Sequence, residues 1–101
     1  MNITTFAGAP KVQFNLEGYV MHASPSLEVI HLCLQPGESI PLHPNPFDVV
    51  ACALAGEVIL YTGNEQHKLG LYDVAEIAKD TNRGFTNISS NEARLLILKK
   101  L

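Results

Sequence analysis

The sequence has little charge, no basic run and no long apolar run, and each shortage excludes a class of protein. Charged residues make up only 17% of the 101 residues, against about a quarter in an average domain. The net charge is -3 and the Lys and Arg residues are scattered, which argues against nucleic acid as a ligand. No stretch approaches the ~18 apolar residues of a membrane span, and the N-terminus lacks the pattern of a signal peptide. We therefore expect a cytoplasmic protein that binds neither nucleic acid nor a membrane.

Cysteine is also scarce, and the two that occur, Cys33 and Cys52, lie far apart in apolar runs. A free Cys packs like a small hydrophobic side chain, so buried thiols are the simplest interpretation, with a disulfide or a metal thiolate as alternatives. The length predicts one domain over residues 1–101. Gly8, Ala9 and Pro10 interrupt regular structure, so residues 1–10 are expected to form an N-terminal arm.

Short apolar runs between turn residues dominate the chain and predict an all-β fold. The interpretation gives eight or nine strands, which is typical of a barrel or a sandwich. Gly63 and Asn64 tolerate positive φ and predict a tight hairpin, and residues 79–84 are predicted to form a polar loop. The runs that predict strands cover residues 18–22, 27–35, 47–55, 57–62, 66–69, 74–78, 85–88 and 93–100.

Within the second predicted strand, alternation separates two faces. Ile30, Leu32 and Leu34 share one of them, and Val29, His31 and Cys33 share the other.

The predicted strand 47–55 is apolar on both faces after Asp48, so a neighbour is expected to cover each face. One face would look into the barrel, and the other would meet a second layer or a second subunit. Together with the low charge, this pattern predicts a homodimer. The covered surface would be the face of Val50, Cys52 and Leu54, or the terminal strand 95–98.

Residues 36–56, PGESIPLHPNPFDVVACALAG, resemble the first sequence motif of the cupin family. That motif reads Gly, five residues, His-x-His, three or four residues, Glu, six residues, Gly. Residues 70–87 are similar to the second motif, which ends in Asn. The positions that match are Gly37, His43, Gly56 and Asn87. The resemblance spans residues 27–100 and implies a cupin-like double-stranded β-helix, that is, a jelly-roll barrel.

The resemblance also implies a divalent metal held by His-x-His, Glu and a later His, but three of these four positions have changed. The second His is Asn45, the Glu position falls on Val49 or Val50, and the last His falls on Arg83. Only His43 remains, and one imidazole does not hold a metal, since catalytic zinc sites keep three protein ligands. No cofactor is therefore expected, and a divalent transition metal is the alternative.

Two carboxylates are possible replacement ligands. Asp48 lies one residue before the Glu position and would face His43 only if a bulge at Pro46 rotated the strand. Glu76 lies on a second-motif strand and would face the lumen only with the right strand parity. A displaced metal site of His43, Asp48 and Glu76 would make the protein a dioxygenase- or isomerase-like enzyme.

Arg83 has two interpretations. It is either a loop cation in water or a guanidinium that reaches across the barrel mouth toward His43 and Asn45, where it would favour a carboxylate or phosphate over a metal. The predicted pocket, at the mouth where small ligands bind β-barrels, is lined by His43, Asn45, Val49, Ala51, Ala53, Glu76 and Arg83.

Three functions stay open, and no catalytic residue can be assigned. The missing ligands favour a barrel that binds a small molecule without metal over the metal-dependent enzyme. A structural homodimer without a ligand is the third, and a filled lumen would favour it.

Overall fold

The computed structural model describes residues 1–13 and 15–101, and every regular element in that part of the chain is a β-strand. The nine strands pair antiparallel in two sheets, with the orders β1-β2-β9-β4-β7 and β3-β8-β5-β6. None of the described residues forms a helix long and apolar enough to cross a membrane. The predicted all-β barrel is confirmed. The strands are β1 (Glu17–Ala23), β2 (Leu27–Leu34), β3 (Ser39–His43), β4 (Asp48–Ala55), β5 (Val58–Thr62), β6 (Gln66–Leu69), β7 (Val74–Ile77), β8 (Arg83–Asn87) and β9 (Ala93–Lys100).

Eight strands match the predicted runs to within two residues at each end, and β3 is the element that the prediction did not place. Its sequence, SIPLH, is short and contains Pro41, so it carries little strand signal. β3 lies at an edge of the four-stranded sheet, where a proline is tolerated because one side of the strand needs no ladder bonds. β8 begins at Arg83, so Arg83 and Gly84 belong to a strand and not to the predicted polar loop.

A single apolar core joins the two sheets. On β2, Ile30 and Leu34 are buried and Leu32 packs against the same core, which confirms the predicted faces of that strand. The small residues of β4 share the interior with larger side chains, so the lumen is largely filled. The buried cluster comprises Ile30, Leu34, Val49, Ala51, Ala53, Val58, Leu60, Leu69, Ile77, Phe85, Ala93, Leu95 and Ile97.

The hairpin between β5 and β6 forms where it was predicted, but its geometry differs from the prediction. Tyr61 pairs with Gln66, and the Thr62 amide donates to the Glu65 carbonyl over 2.9 Å. Gly63 and Asn64 are not among the residues with positive φ, since those are Gly37, Gly56, Tyr72 and Asp80. The two strands are therefore joined by a turn in which no residue needs a positive φ. Turns of this kind occur in some hairpins.

The N-terminal segment follows the edge of the five-stranded sheet, with Val12 packed against the core and Phe6 on the outward face. The Val20 amide donates to the Pro10 carbonyl over 2.7 Å. The Phe6 ring lies 4.0 Å from the Tyr19 ring and 4.8 Å from the His31 ring, measured between centroids. The Arg94 guanidinium lies 5.0 Å from the Phe6 ring centre, in reach of a cation–π contact. One end of the outward face is thereby covered.

The two cysteines differ in their surroundings, and neither forms a disulfide. Cys33 faces outward on β2 at the covered end of the sheet and is fully buried. Burial raises the pKa of the Cys33 thiol to about 11, so it remains a protonated, unreactive thiol. Cys52 is free and only partly buried. The interpretation as a buried thiol therefore holds fully for Cys33 and in part for Cys52.

Gly84 allows β8 to approach β3 and β5 closely, and its substitution is expected to be destabilising. A Cβ at Gly84 would lie 2.5 Å from the Ile40 carbonyl oxygen and 2.8 Å from the Tyr61 ring. We predict that Gly84→Ala lowers the free energy of unfolding by about 2 kcal/mol, because backbone and a packed ring have to move. Urea denaturation measures this.

Gly63→Ala is the matched control for that substitution. Nothing lies within 4 Å of a Cβ at Gly63 and its φ is not positive, so the free energy of unfolding should change by less than about 0.5 kcal/mol. Equal effects of the two substitutions would contradict the packing argument.

Candidate functional site

The mouth of the barrel is formed where the end of β3 meets the start of β8. His43 pairs with Arg83 across these strands, after a register shift that follows Ile40. Alternation along β8 places Arg83 on the same inward face as Phe85, which belongs to the core. Arg83 is only 4% exposed. The structure thus brings a buried guanidinium to the end of the barrel at which His43 and Asn45 lie.

Two of the three guanidinium nitrogens of Arg83 donate to neutral acceptors. Nη1 donates to the His43 backbone carbonyl over 2.8 Å. Nη2 donates over 2.6 Å to the Asn45 side-chain oxygen, with the amide oriented so that its oxygen faces the guanidinium. Nε is buried and has no acceptor among the described residues. Arg83 therefore reaches across the mouth, and the interpretation as a loop cation in water is wrong.

The charge of Arg83 has no opposite charge beside it. None of the ion pairs among the described residues includes Arg83. Burial lowers the pKa of its guanidinium because the charged form loses hydration. Arginine is nevertheless charged at neutral pH. The mouth accordingly holds a desolvated positive charge that faces only neutral oxygen atoms.

His43 lies on the exposed rim of the mouth. Its Nδ1 lies 2.9 Å from the Pro41 carbonyl oxygen, and a carbonyl only accepts hydrogen bonds, so this contact requires the proton on Nδ1. Nε2 is left with the lone pair. His43 therefore offers one nitrogen as a ligand or acceptor, and it faces solvent on an exposed residue.

The two candidate carboxylates do not join His43. Asp48 is exposed, and its Oδ1 accepts from the Lys79 backbone amide over 2.9 Å. Glu76 pairs with Val50 on β4, and it is exposed while its neighbour Ile77 is buried, so it lies on the outward face. Both carboxylates border a surface hollow of about 270 Å³ beside Lys100. In the described residues no group of three or more His, Cys, Asp or Glu side chains is placed to hold a metal.

The predicted pocket residues are consequently divided between two sides of the sheet. Val49, Ala51 and Ala53 are buried in the core, on the same inward side as Arg83. Glu76 is outside. The β7–β8 turn docks on the mouth, since the Asp80 amide donates to the Asn45 carbonyl over 2.7 Å. This contact rests on a left-handed Asp80 with a φ of 65°, and no sequence pattern pointed to it.

The overall architecture was compared with known proteins. No family model matches the sequence. No curated protein matches it either. Solved structures do match, and three of them show how widely the names of the matching proteins differ. An RmlC-like cupin from Shewanella frigidimarina has a TM-score of 0.87 at 11% identity, over 99% of this chain and 90% of the other.

This chain has the cupin fold. A predicted oxalate decarboxylase from Thermotoga maritima has a TM-score of 0.88 at 14% identity, over 100% of this chain and 99% of the other. The polyketide cyclase RemF from Streptomyces resistomycificus has a TM-score of 0.86 at 12% identity, over 99% and 79%. Since proteins with such different names share the cupin fold, the fold alone assigns no activity.

The last residue of the second cupin motif, Asn87, has a structural role here. It is 1% exposed, and its Nδ2 donates to the carbonyls of Leu34 and Asn91 over 2.9 and 2.8 Å. Its Oδ1 accepts from the amide and the hydroxyl of Ser89 over 2.9 and 2.8 Å. Asn87 therefore ties the turn after β8 to the end of β2, at a distance along the sheet from Arg83.

Alanine substitutions at Asp48 and Glu76 test which of the two carboxylates stabilises the fold. Asp48→Ala should lower the free energy of unfolding by about 1 kcal/mol, because the Lys79 amide loses its acceptor. Glu76→Ala should change it by less than about 0.5 kcal/mol, as expected of an exposed side chain. Denaturant titration of both variants checks this. If both variants are equally destabilised, and only when divalent metal is present, the two carboxylates share a metal site after all.

Proposed function

We propose that this cupin-fold chain binds a small molecule at the mouth of its barrel without the metal that the cupin motifs imply. The observation that carries the proposal is the buried Arg83 at that mouth. It lies at the position of the last metal-binding His in the motif and donates to His43 and Asn45, the positions of the first two. A guanidinium thus connects the two motifs where a shared metal ion would otherwise do so.

The residues at the mouth do not fit a divalent metal. His43 offers one nitrogen, Asn45 already accepts from Arg83, and Val49 of the Glu position is apolar and 2% exposed. Arginine has only donors and cannot ligate. Its positive charge would also repel a dication, and charges interact more strongly at a desolvated site than in water. A displaced site with Asp48 and Glu76 gains no support from their outward positions.

The filled lumen limits the size of any ligand. Phe85, Leu60 and Leu34 belong to the same buried cluster as Ala51 and Ala53. A ligand would therefore have to be small enough to lie at the mouth above this core, and we expect its polar part to lie against Arg83.

The poor fit of the mouth residues to a divalent metal can be tested by removing and adding metal. We expect that EDTA leaves the melting temperature of untagged protein unchanged, because a metal bound only by the folded state would raise it. Added Zn²⁺ or Ni²⁺ should raise the melting temperature of the wild type no more than that of His43→Ala. The measurement is differential scanning calorimetry with elemental analysis. A drop on chelation that His43→Ala abolishes would show a metal site and favour the enzyme.

A second candidate function, assembly as a homodimer, is favoured by the largely filled lumen and by the outward face of the five-stranded sheet. Two cross-strand rows on that face are apolar and not fully buried. Val29, Leu98 and Val50 form the first row, and Leu96, Cys52 and Val74 form the second. Val74 is 58% exposed. None of the six side chains is charged, and the charged Glu76 and Lys100 of the same face lie on the edge strand β7 and at the end of β9.

The two rows cross four neighbouring strands, β2, β9, β4 and β7, which lie about 4.8 Å apart. They occupy the part of the face that Phe6 does not cover, since Phe6 packs at the end near Tyr19 and His31. We therefore propose that the face pairs with itself about a two-fold axis, the commonest symmetry of oligomers.

Light scattering tests the dimer. The chain has a mass of 11.0 kDa, and we expect twice that mass for the wild type at high micromolar concentration. Val50→Lys should give the monomer mass, because it places a charge at the centre of the interface. Ile59→Lys, at a half-buried position on the outward face of the other sheet, is the control and should remain dimeric. A wild-type monomer would overturn the proposal.

A further inference from the structure

The unpaired Nε of Arg83 is the feature that extends the proposed function. Arginine is almost never buried this completely without an anionic partner. Here a side chain that is 4% exposed has two neutral acceptors and one buried N–H with none. A buried donor without an acceptor is costly, and in a native protein it calls for an explanation, of which a bound group that supplies the acceptor is one.

We propose that Arg83 anchors the carboxylate of a small carboxylic acid at the barrel mouth. This inference rests on the proposed function and names its ligand class. The free Nε–H and an Nη2–H point along one edge of a guanidinium, and a carboxylate matches that edge with two parallel hydrogen bonds. The anion would supply both the missing acceptor for Nε and the missing opposite charge.

The charges around the mouth favour a carboxylate over a phosphate. Arg83 brings one positive charge, and the Asn45 amide beside it is neutral. The segments that close the mouth carry two acidic residues, Asp48 and Asp80, and one basic residue, Lys79. A monoanion balances one guanidinium, but a phosphate dianion would leave excess negative charge beside these acids. The inward neighbours of Arg83 along the barrel are apolar, so the ligand should carry a short aliphatic body.

The chain offers a direct spectroscopic test, since Arg83 and Arg94 are its only arginines. In ¹H–¹⁵N spectra the arginine Nε–H region should therefore contain two signals, and Arg94→Lys identifies which one belongs to Arg83. Nε of Arg94 already donates to Glu92 over 2.8 Å. We expect sodium butyrate to shift the Arg83 signal downfield and saturably, with a Kd of about 1 mM or weaker for so small a ligand, while the Arg94 signal stays in place.

Three arms accompany the titration. Sodium chloride at equal ionic strength should move neither signal, and inorganic phosphate should move the Arg83 signal much less than butyrate. Arg83→Lys keeps the charge but loses the planar pair of donors, so butyrate should bind it about tenfold more weakly or worse, as measured by calorimetry. Arg94→Lys is the matched variant outside the site and should bind butyrate as the wild type does.

The outcomes separate this inference from the proposed function. If butyrate or other small molecules bind but the Arg83 Nε signal does not respond, or if Arg83→Lys binds equally well, the carboxylate anchor is wrong and the binding function survives. A response to phosphate that equals the response to butyrate would overturn the assignment to carboxylates. If a broad screen of small molecules finds no binding to the wild type at all, the proposed function fails together with the anchor. The Nε titration uses wild-type protein, so it decides the matter even if Arg83→Lys does not fold.

Discussion

The hydrogen bonds of the Arg83 guanidinium connect β8 to the end of β3 and to the segment that leads into β4. The side chain donates to a backbone carbonyl on one element and to an amide oxygen on the next. The segment around Asn45 also accepts from Asp80, and Asp48 accepts from Lys79, so the β7–β8 turn is drawn to the same place. The arrangement of the whole mouth depends on a buried cation whose charge is not balanced by a neighbouring carboxylate.

A cation in this position changes what the cupin fold can do chemically. A metal site needs several lone pairs directed at one point, whereas Arg83 directs donors there and uses the acceptors of His43 and Asn45 for itself. This is why the proposed ligand is a small, negatively charged group that accepts hydrogen bonds. The filled core beneath it, with Phe85 among its members, leaves the polar chemistry at the rim. The same barrel presents two apolar cross-strand rows on the opposite side of β4 and β9, so the proposed ligand binding and self-association would use separate faces.

Much of the fold could be predicted because it depends on alternation, and alternation is visible along a strand. The two faces of β2, the runs that became β4 and β9, and the positions of the turns all follow from where apolar residues recur. β3 could not be predicted, because five residues with a central proline show no such pattern and become a strand only through pairing with β8. The hairpin at Gly63 was predicted in place but not in backbone geometry, since more than one turn type can join two adjacent strands.

By itself, the sequence determined the all-β architecture, the resemblance to the cupin motifs and the loss of three metal-binding positions, because each of these depends on residue type and spacing along the chain. Only the tertiary structure decided that Arg83 is buried, that its Nε has no acceptor and that Glu76 faces away from the mouth. Whether a charged side chain lies in water or inside a barrel depends on the residue at which the strand after the loop begins. It also depends on which residues that strand pairs with. For Arg83 both are set by pairing with His43 and Thr62, residues that are distant in the chain.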